Sequence, residues 1–129
     1  MSPVVVLAVG LLCTALIVGC GGDSGSGDDG GPPLDAVASR GREVAEDRGC
    51  VSCHSTDGGS SAGPSWGGLW GSTVELDDGS TVVADASYVE RSIHEPDAQV
   101  VDGYAPIMPT VELSDADVDA VVAYVQALG

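Results

Sequence analysis

The sequence predicts an all-α fold: one small helical domain with a small β-hairpin insertion, closed around something other than its own side chains. Three observations point there. Apolar residues recur at helical spacing at both ends of the stretch from Leu34 to Gly129. A length of 129 residues leaves room for one domain and terminal additions, not for a second domain. Aromatic residues are only 4% of the chain, with no phenylalanine, against 19 glycines, so the large side chains that fill most cores are missing. Charge narrows the function. Twenty acidic residues face four basic ones, a formal net charge of −16. The basic residues are Arg40, Arg42, Arg48 and Arg91, with no lysine, which excludes binding of nucleic acid or of an anionic membrane surface through a basic face.

Taken in order, the chain opens with an export signal. Val4 to Val18 are fifteen uncharged, mostly apolar residues, short of the roughly 20 that span a bilayer and matching the apolar region of a signal peptide. Met1-Ser2-Pro3 brings no basic residue, and residues 1–22 carry no side-chain charge, so an uncleaved membrane anchor is the rival reading. Ile17-Val18-Gly19-Cys20 resembles the lipobox of bacterial lipoproteins. That resemblance implies a signal peptide over 1–19, cleavage before Cys20, and lipidation of Cys20 as a diacylated first residue. Gly21 to Pro33 holds six glycines, three aspartates and two serines, a composition that cannot offset its ordering entropy by burial. Residues 20–33 are therefore expected to form a lipid-anchored flexible linker with a typical reach of about 20 Å.

Residues 34–129 form the domain. From Asp35 to Arg48, Val37, Gly41, Val44 and Ala45 fall on one stripe at 3.6-residue spacing, and Gly49 stops the helix. Thr73 to Val83 alternates and is broken by Asp78-Gly79, the signal of a hairpin. A helix capped by Asp85 runs through Tyr88, Val89, Ser92 and Ile93 and stops before Pro96. The last helix starts at Ser114 with Asp117 three residues on. It carries aspartates 115, 117 and 119 in its first turns and presents Val118, Val121, Val122, Val125 and Leu128 on one face.

The motif that carries chemistry is Cys50-Val51-Ser52-Cys53-His54. Two thiols at this spacing can each add to one vinyl group of a single porphyrin, and the histidine after the second lies under the iron as axial ligand. A structural disulfide, a thioredoxin-like redox pair and half of a zinc site compete with haem c. Zinc needs four ligands, and with Cys13 in the signal and Cys20 lipidated only His94 is left as a further donor. A thioredoxin pair needs a βαβ context, whereas these flanks are helical and glycine-rich. One haem, covalent through Cys50 and Cys53, also supplies the apolar bulk that the composition lacks.

The sixth iron ligand follows from a short inventory. Of two methionines, Met1 belongs to the signal, which leaves Met108 between Pro106 and Pro109, prolines that stiffen its loop. His94 is the rival, at a helix end and facing solvent. A gap-filling Met108 with a vacant iron site is the third alternative. A soft thioether opposite imidazole favours ferrous iron, raises the potential and closes the site to dioxygen.

In these motifs the sequence resembles the class I cytochromes c, most closely the cytochrome c domain of caa-type cytochrome c oxidase subunit II. The resemblance spans Ala38 to Leu128. It rests on Gly49 to His54, Gly63-Pro64-Ser65-Trp66-Gly67-Gly68-Leu69-Trp70-Gly71, the Asp-Gly hairpin, Tyr88 to Ile93, Pro96-Asp97-Ala98, Val101 to Tyr104, Ile107-Met108-Pro109 and Leu113-Ser114-Asp115. It implies an all-α fold around one haem, terminal helices crossing where Gly41 meets Tyr124, a Pro64 carbonyl orienting the proximal histidine, and Tyr88 and Arg91 at the propionate end. Three departures stand out. Pro109 to Glu112 is shorter than the usual linker, no copper-site half lies upstream, and the lysine ring through which many cytochromes c dock is absent.

The expected protein is thus a free-standing, membrane-tethered monohaem electron carrier rather than an enzyme, with no small-molecule substrate. It is exported to the periplasm or the outer face of the cytoplasmic membrane. Its partners would be redox complexes of a respiratory chain, such as a terminal oxidase or its electron donor. A haem c subunit of an exported dehydrogenase is the alternative. A dihaem peroxidase would need a second CxxCH, and a gas sensor a roomy distal pocket that the Pro-Ile-Met-Pro loop does not suggest. The acidity has two readings: docking to a basic partner, or adaptation to high salt.

Overall fold

Asp35 begins the first helix: its carboxylate accepts the Ala38 amide at 2.8 Å, satisfying one of the donors that a helix N-terminus leaves open. The computed structural model describes residues 33–129; the apolar run, Cys20 and the linker through residue 32 lie outside the described residues. Helix α1, Ala36–Asp47, buries Ala38, Gly41, Val44 and Ala45. Val37, expected on that stripe, is 52% exposed. The buried face is turned by one residue, so that Ala38 takes the place expected of Val37. At the C-terminal end the Arg48 amide donates to the Val44 carbonyl at 2.9 Å and the Gly49 amide to that of Glu46 at 3.1 Å. Gly49, at φ 76°, then turns the chain through a left-handed conformation open to glycine.

Strands β1, Thr73–Glu75, and β2, Thr81–Val83, pair antiparallel with Thr73 opposite Val83 and Glu75 opposite Thr81. Their loop closes with Gly79 at φ 81° and the Asp78 carboxylate accepting the Ser80 amide at 2.8 Å. The hairpin does more than turn. The Asp77 amide donates to the Val100 carbonyl and the Asp102 amide to the Glu75 carbonyl, both at 2.9 Å, with a bridge between Leu76 and Val101. The hairpin edge thereby holds the strap that leads to Met108.

Helix α2, Ala86–His94, starts at Asp85, whose carboxylate accepts the Tyr88 amide at 3.0 Å. Helix α3, Asp115–Ala127, starts at Ser114, whose hydroxyl accepts the Asp117 amide at 3.2 Å. Asp115 and Asp117 lie in its first turn, where the helix dipole favours negative charge. Among the described residues no helix is long and apolar enough to cross a membrane.

Helices α1 and α3 cross at Gly41. A Cβ there would overlap the Ala120 carbonyl and stand 2.8 Å from Tyr124 Cβ, so glycine sets the approach. Arg40 ties the same crossing from outside by donating to the Asp117 carboxylate at 3.0 Å. The core joins Val44, Ala45, Trp66, Val74, Leu76, Val89, Ile93, Val118, Val121 and Val125 with Tyr88 and Tyr124. Its largest completely buried side chains are only the valines 121 and 125. Side chains of this size leave one side of the domain as a cleft.

Candidate functional site: an apolar cleft around Cys50, Cys53, His54 and Met108

After Gly49 the chain makes one tight helical turn, Cys50–Ser52. The Cys53 and His54 amides both donate to the Cys50 carbonyl, at 3.2 and 3.0 Å, and the Ser52 hydroxyl to the Gly49 carbonyl at 2.6 Å. This turn brings Cys50, Cys53 and His54 onto the wall of one cleft. Both cysteines are free thiols. Burial pushes the Cys50 thiol above its ordinary range, opposed by its own backbone hydrogen bond and by the nearby Arg48 charge.

His54 is oriented from two sides. Its Nδ1 donates to the Pro64 carbonyl at 2.7 Å, which fixes the ring and leaves Nε2 as its ligating nitrogen. Its ring stacks on Trp66, centroids 5.2 Å apart at 19°, and Trp66 meets Tyr124 edge-on at 6.2 Å. The helix crossing and the imidazole are therefore one packed unit. Desolvation lowers the His54 pKa, partly opposed by the bond to Pro64, so the ring is neutral as a metal ligand requires. Gly63 packs against the Nδ1–Cε1 edge of the ring, the edge that bonds Pro64. A Cβ there would stand 2.7 Å from His54 Cε1 and 3.2 Å from the Cys53 carbonyl, and its amide donates to that carbonyl at 2.8 Å.

The other wall comes from the strap after α2. Pro96, Gln99, Val100, Val101 and Tyr104 lead into Pro106, Ile107, Met108 and Pro109, all lining the same cleft. The cleft encloses about 970 Å³ including its open mouth. Its lining is mostly apolar. Two thiols, an imidazole with one nitrogen to spare, and a thioether around an apolar slot of this size fit a haem held through Cys50 and Cys53. Such a group, when bound, supplies reversible one-electron chemistry at iron. Cys50 and Cys53 would attach it, and His54, already oriented by Pro64 and Trp66, would be its ligand. Among the described residues no three His, Cys, Asp or Glu side chains cluster as a metal site.

Of the other residues singled out from the sequence, Pro64 and Tyr88 line the cleft, and Gly41 meets Tyr124 at the helix crossing. The structure does not bring Arg91 there. It lies on the outer face of α2 and pairs with Glu95 at 3.3 Å, because one turn further along the helix offers an exposed carboxylate. His94 is exposed on the same outer face. Sequence reasoning missed three contributors: Trp66 as the stacking partner of His54, Arg48 at the cleft rim, and Gln99 in its wall. Trp66 sits in a quoted motif, but only the folded ring geometry reveals its role. Gln99 lies in an irregular stretch where no periodicity assigns a direction.

No curated protein matches the chain. A model of the cytochrome c family matches residues 38–129, the segment that contains all but the first two residues of α1, the thiol and imidazole turn, the strap with Met108, and α3. That family binds haem c covalently through cysteines and typically carries electrons rather than catalysing a reaction. With most of the chain under that match and the attachment residues on one apolar cleft, the chain belongs to the cytochrome c family.

Proposed function

We propose that the protein is a membrane-tethered carrier of single electrons outside the cytoplasm, holding one haem c and serving a respiratory chain, to or within a terminal oxidase complex. The convergence of Cys50, Cys53, His54 and Met108 on one apolar cleft carries this reading. His54, held by Pro64, would ligate the iron through its free nitrogen, and Met108, presented by a loop with proline on both sides, would offer its sulfur. Both ligands occupied means that iron exchanges electrons without binding substrate. The membrane tether rests on the lipobox-like Ile17-Val18-Gly19-Cys20 and the glycine-rich segment after it. The oxidase partner rests on the motif resemblance to the caa-type domain, and the absence of lysine excludes a cationic docking ring.

An anaerobic redox titration with spectra of both states tests the carrier. The expected result is a single one-electron transition between two low-spin states. A high-spin form that binds carbon monoxide readily would overturn it. Intact mass of protein extracted from membranes tests the tether: residues 1–19 lost and lipid added is expected, and a mass retaining Met1 would overturn it.

A further inference from the structure

The indole stacked on His54 is placed by backbone as well as by packing. The Trp66 amide donates to the Ser55 carbonyl at 2.8 Å, and the Gly63 amide to the Cys53 carbonyl at 2.8 Å. These two bonds bracket the histidine. Gly67 backs onto the same segment, since a Cβ there would stand 2.7 Å from the Thr56 carbonyl oxygen and from the Gly58 amide nitrogen. The chain on either side of Trp66 is thereby locked to the turn that carries His54. The result is an indole over the imidazole, centroids 5.2 Å apart and planes 19° from parallel. Tyr124 fixes the plane from elsewhere, meeting the indole at 87° and 6.2 Å, the edge-to-face arrangement that aromatic quadrupoles favour. Trp66 therefore presents its face, not its edge, to His54. It is 8% exposed, so little water screens the contact.

The face of an indole is the negative end of its quadrupole and attracts positive charge within about 6 Å. With the Nδ1 of His54 bonded to Pro64, Nε2 is the nitrogen that meets iron, and a ligating imidazole shares the charge of its metal. Ferric iron carries more positive charge than ferrous iron, so an electron-rich face against the ring stabilises the ferric state more. We propose that Trp66 is a positioning residue that also sets the reduction potential of the haem through His54, its indole face lowering the potential that the Met108 thioether raises. This rests on the haem reading of the cleft. An aliphatic side chain at the same place would exclude water as well but bring no quadrupole, which makes the two contributions separable.

The test uses the full chain matured with haem, in a Trp70→Phe background so that Trp66 is the one tryptophan left. It is produced with tryptophan and with singly, doubly and triply fluorinated tryptophan, which withdraws electron density from the ring face while nearly preserving its shape. Haem attachment is read first by intact mass, and failure to attach in the unsubstituted chain would sink the haem reading rather than this one. With haem attached, the reduction potential should rise with each fluorine while the visible signature of the axial ligands stays unchanged. Trp66→Phe and Trp66→Leu, made without the Trp70 change, should raise it in that order, which keeps the proposal falsifiable if Trp70→Phe folds poorly. A potential that ignores fluorination or falls with it would overturn the assignment. So would a rise confined to Trp66→Leu, which would reduce the contact to packing alone.

Discussion

Met108 illustrates how much a single side chain must be helped by its neighbours. A thioether is a weak ligand, and a long unbranched side chain loses rotamer entropy on being held. Pro106 and Pro109 remove part of that cost by fixing torsions in advance. The Ile107 amide closes a tight turn onto the Ala105 carbonyl at 2.9 Å, and Ile107 itself is 66% exposed, so the loop turns its isoleucine outward while Met108 lines the cleft. Replacing Met108 by alanine should abolish the weak far-red absorption of ferric iron bound to methionine sulfur and lower the reduction potential. A spectrum identical to wild type would remove Met108 from the iron. His54 needs the opposite treatment: it is held by Pro64, Trp66 and Gly63 together, so its geometry does not depend on any one hydrogen bond.

At the scale of elements, the crossing of α1 and α3 rests on close backbone approach rather than on large side chains. Gly41→Val would force its side chain into the Ala120 carbonyl and the Tyr124 Cβ and push the helices apart. The expected cost is about 3 kcal/mol or more, a fall in Tm of about 12 °C or more for a domain of this size, measurable by circular dichroism of the haem-bound protein. Because Tyr124 packs on Trp66 and Trp66 on His54, the same change should also disturb the haem spectrum. The crossing has an electrostatic clasp as well. Hydrogen bonds from Ser114 and then Arg40 hold the Asp117 carboxyl below its ordinary range. A carboxylate with a lowered folded pKa stabilises above its unfolded pKa, and that contribution disappears as pH falls through the lowered value. Asp117→Asn should thus melt below wild type at neutral pH, and the two should converge in acid. The gap should be small, since the pair is solvent-screened. Parallel Tm curves across the acid range would show that Asp117 is not linked to folding.

Across the described residues, a core whose most deeply buried side chains are small lies beside one apolar cleft. Its completely buried positions are filled by valine and alanine, and the cleft wall is completed by a strap that the hairpin edge holds. Changing Cys50 and Cys53 together to serine should leave a chain without cooperative unfolding, because the cofactor provides much of the buried apolar surface; a native-like cooperative melt without haem would contradict this. The surface carries the other global property, a net charge of −16 without lysine. If the acidity serves a basic partner, stopped-flow electron exchange with it should slow as salt shortens the screening length from about 30 Å to about 10 Å. If it reflects salt adaptation, the rate should stay flat or rise. Fast exchange at low salt with an oxidase whose docking face is acidic would show that the haem-edge contact overrides the charge.

The sequence alone determined the helices and the attachment chemistry, because both are local. Asp35, Asp85 and Ser114 cap helices through amides three residues on, Asp78-Gly79 closes its own turn, and the spacing of Cys50, Cys53 and His54 requires only one turn of backbone. Tertiary structure alone decided which neighbour each side chain meets. Ala38 replaces Val37 on the buried face of α1, the face whose Gly41 meets the backbone of α3. Arg91 turns to Glu95 and not to the cleft because an exposed partner lies one helical turn away. Trp66 stacks on His54 and Gln99 lines the cleft because a helix crossing and a hairpin edge, far off in sequence, place their backbones there. Such placements depend on contacts between distant segments, and periodicity within a single segment carries no information about them.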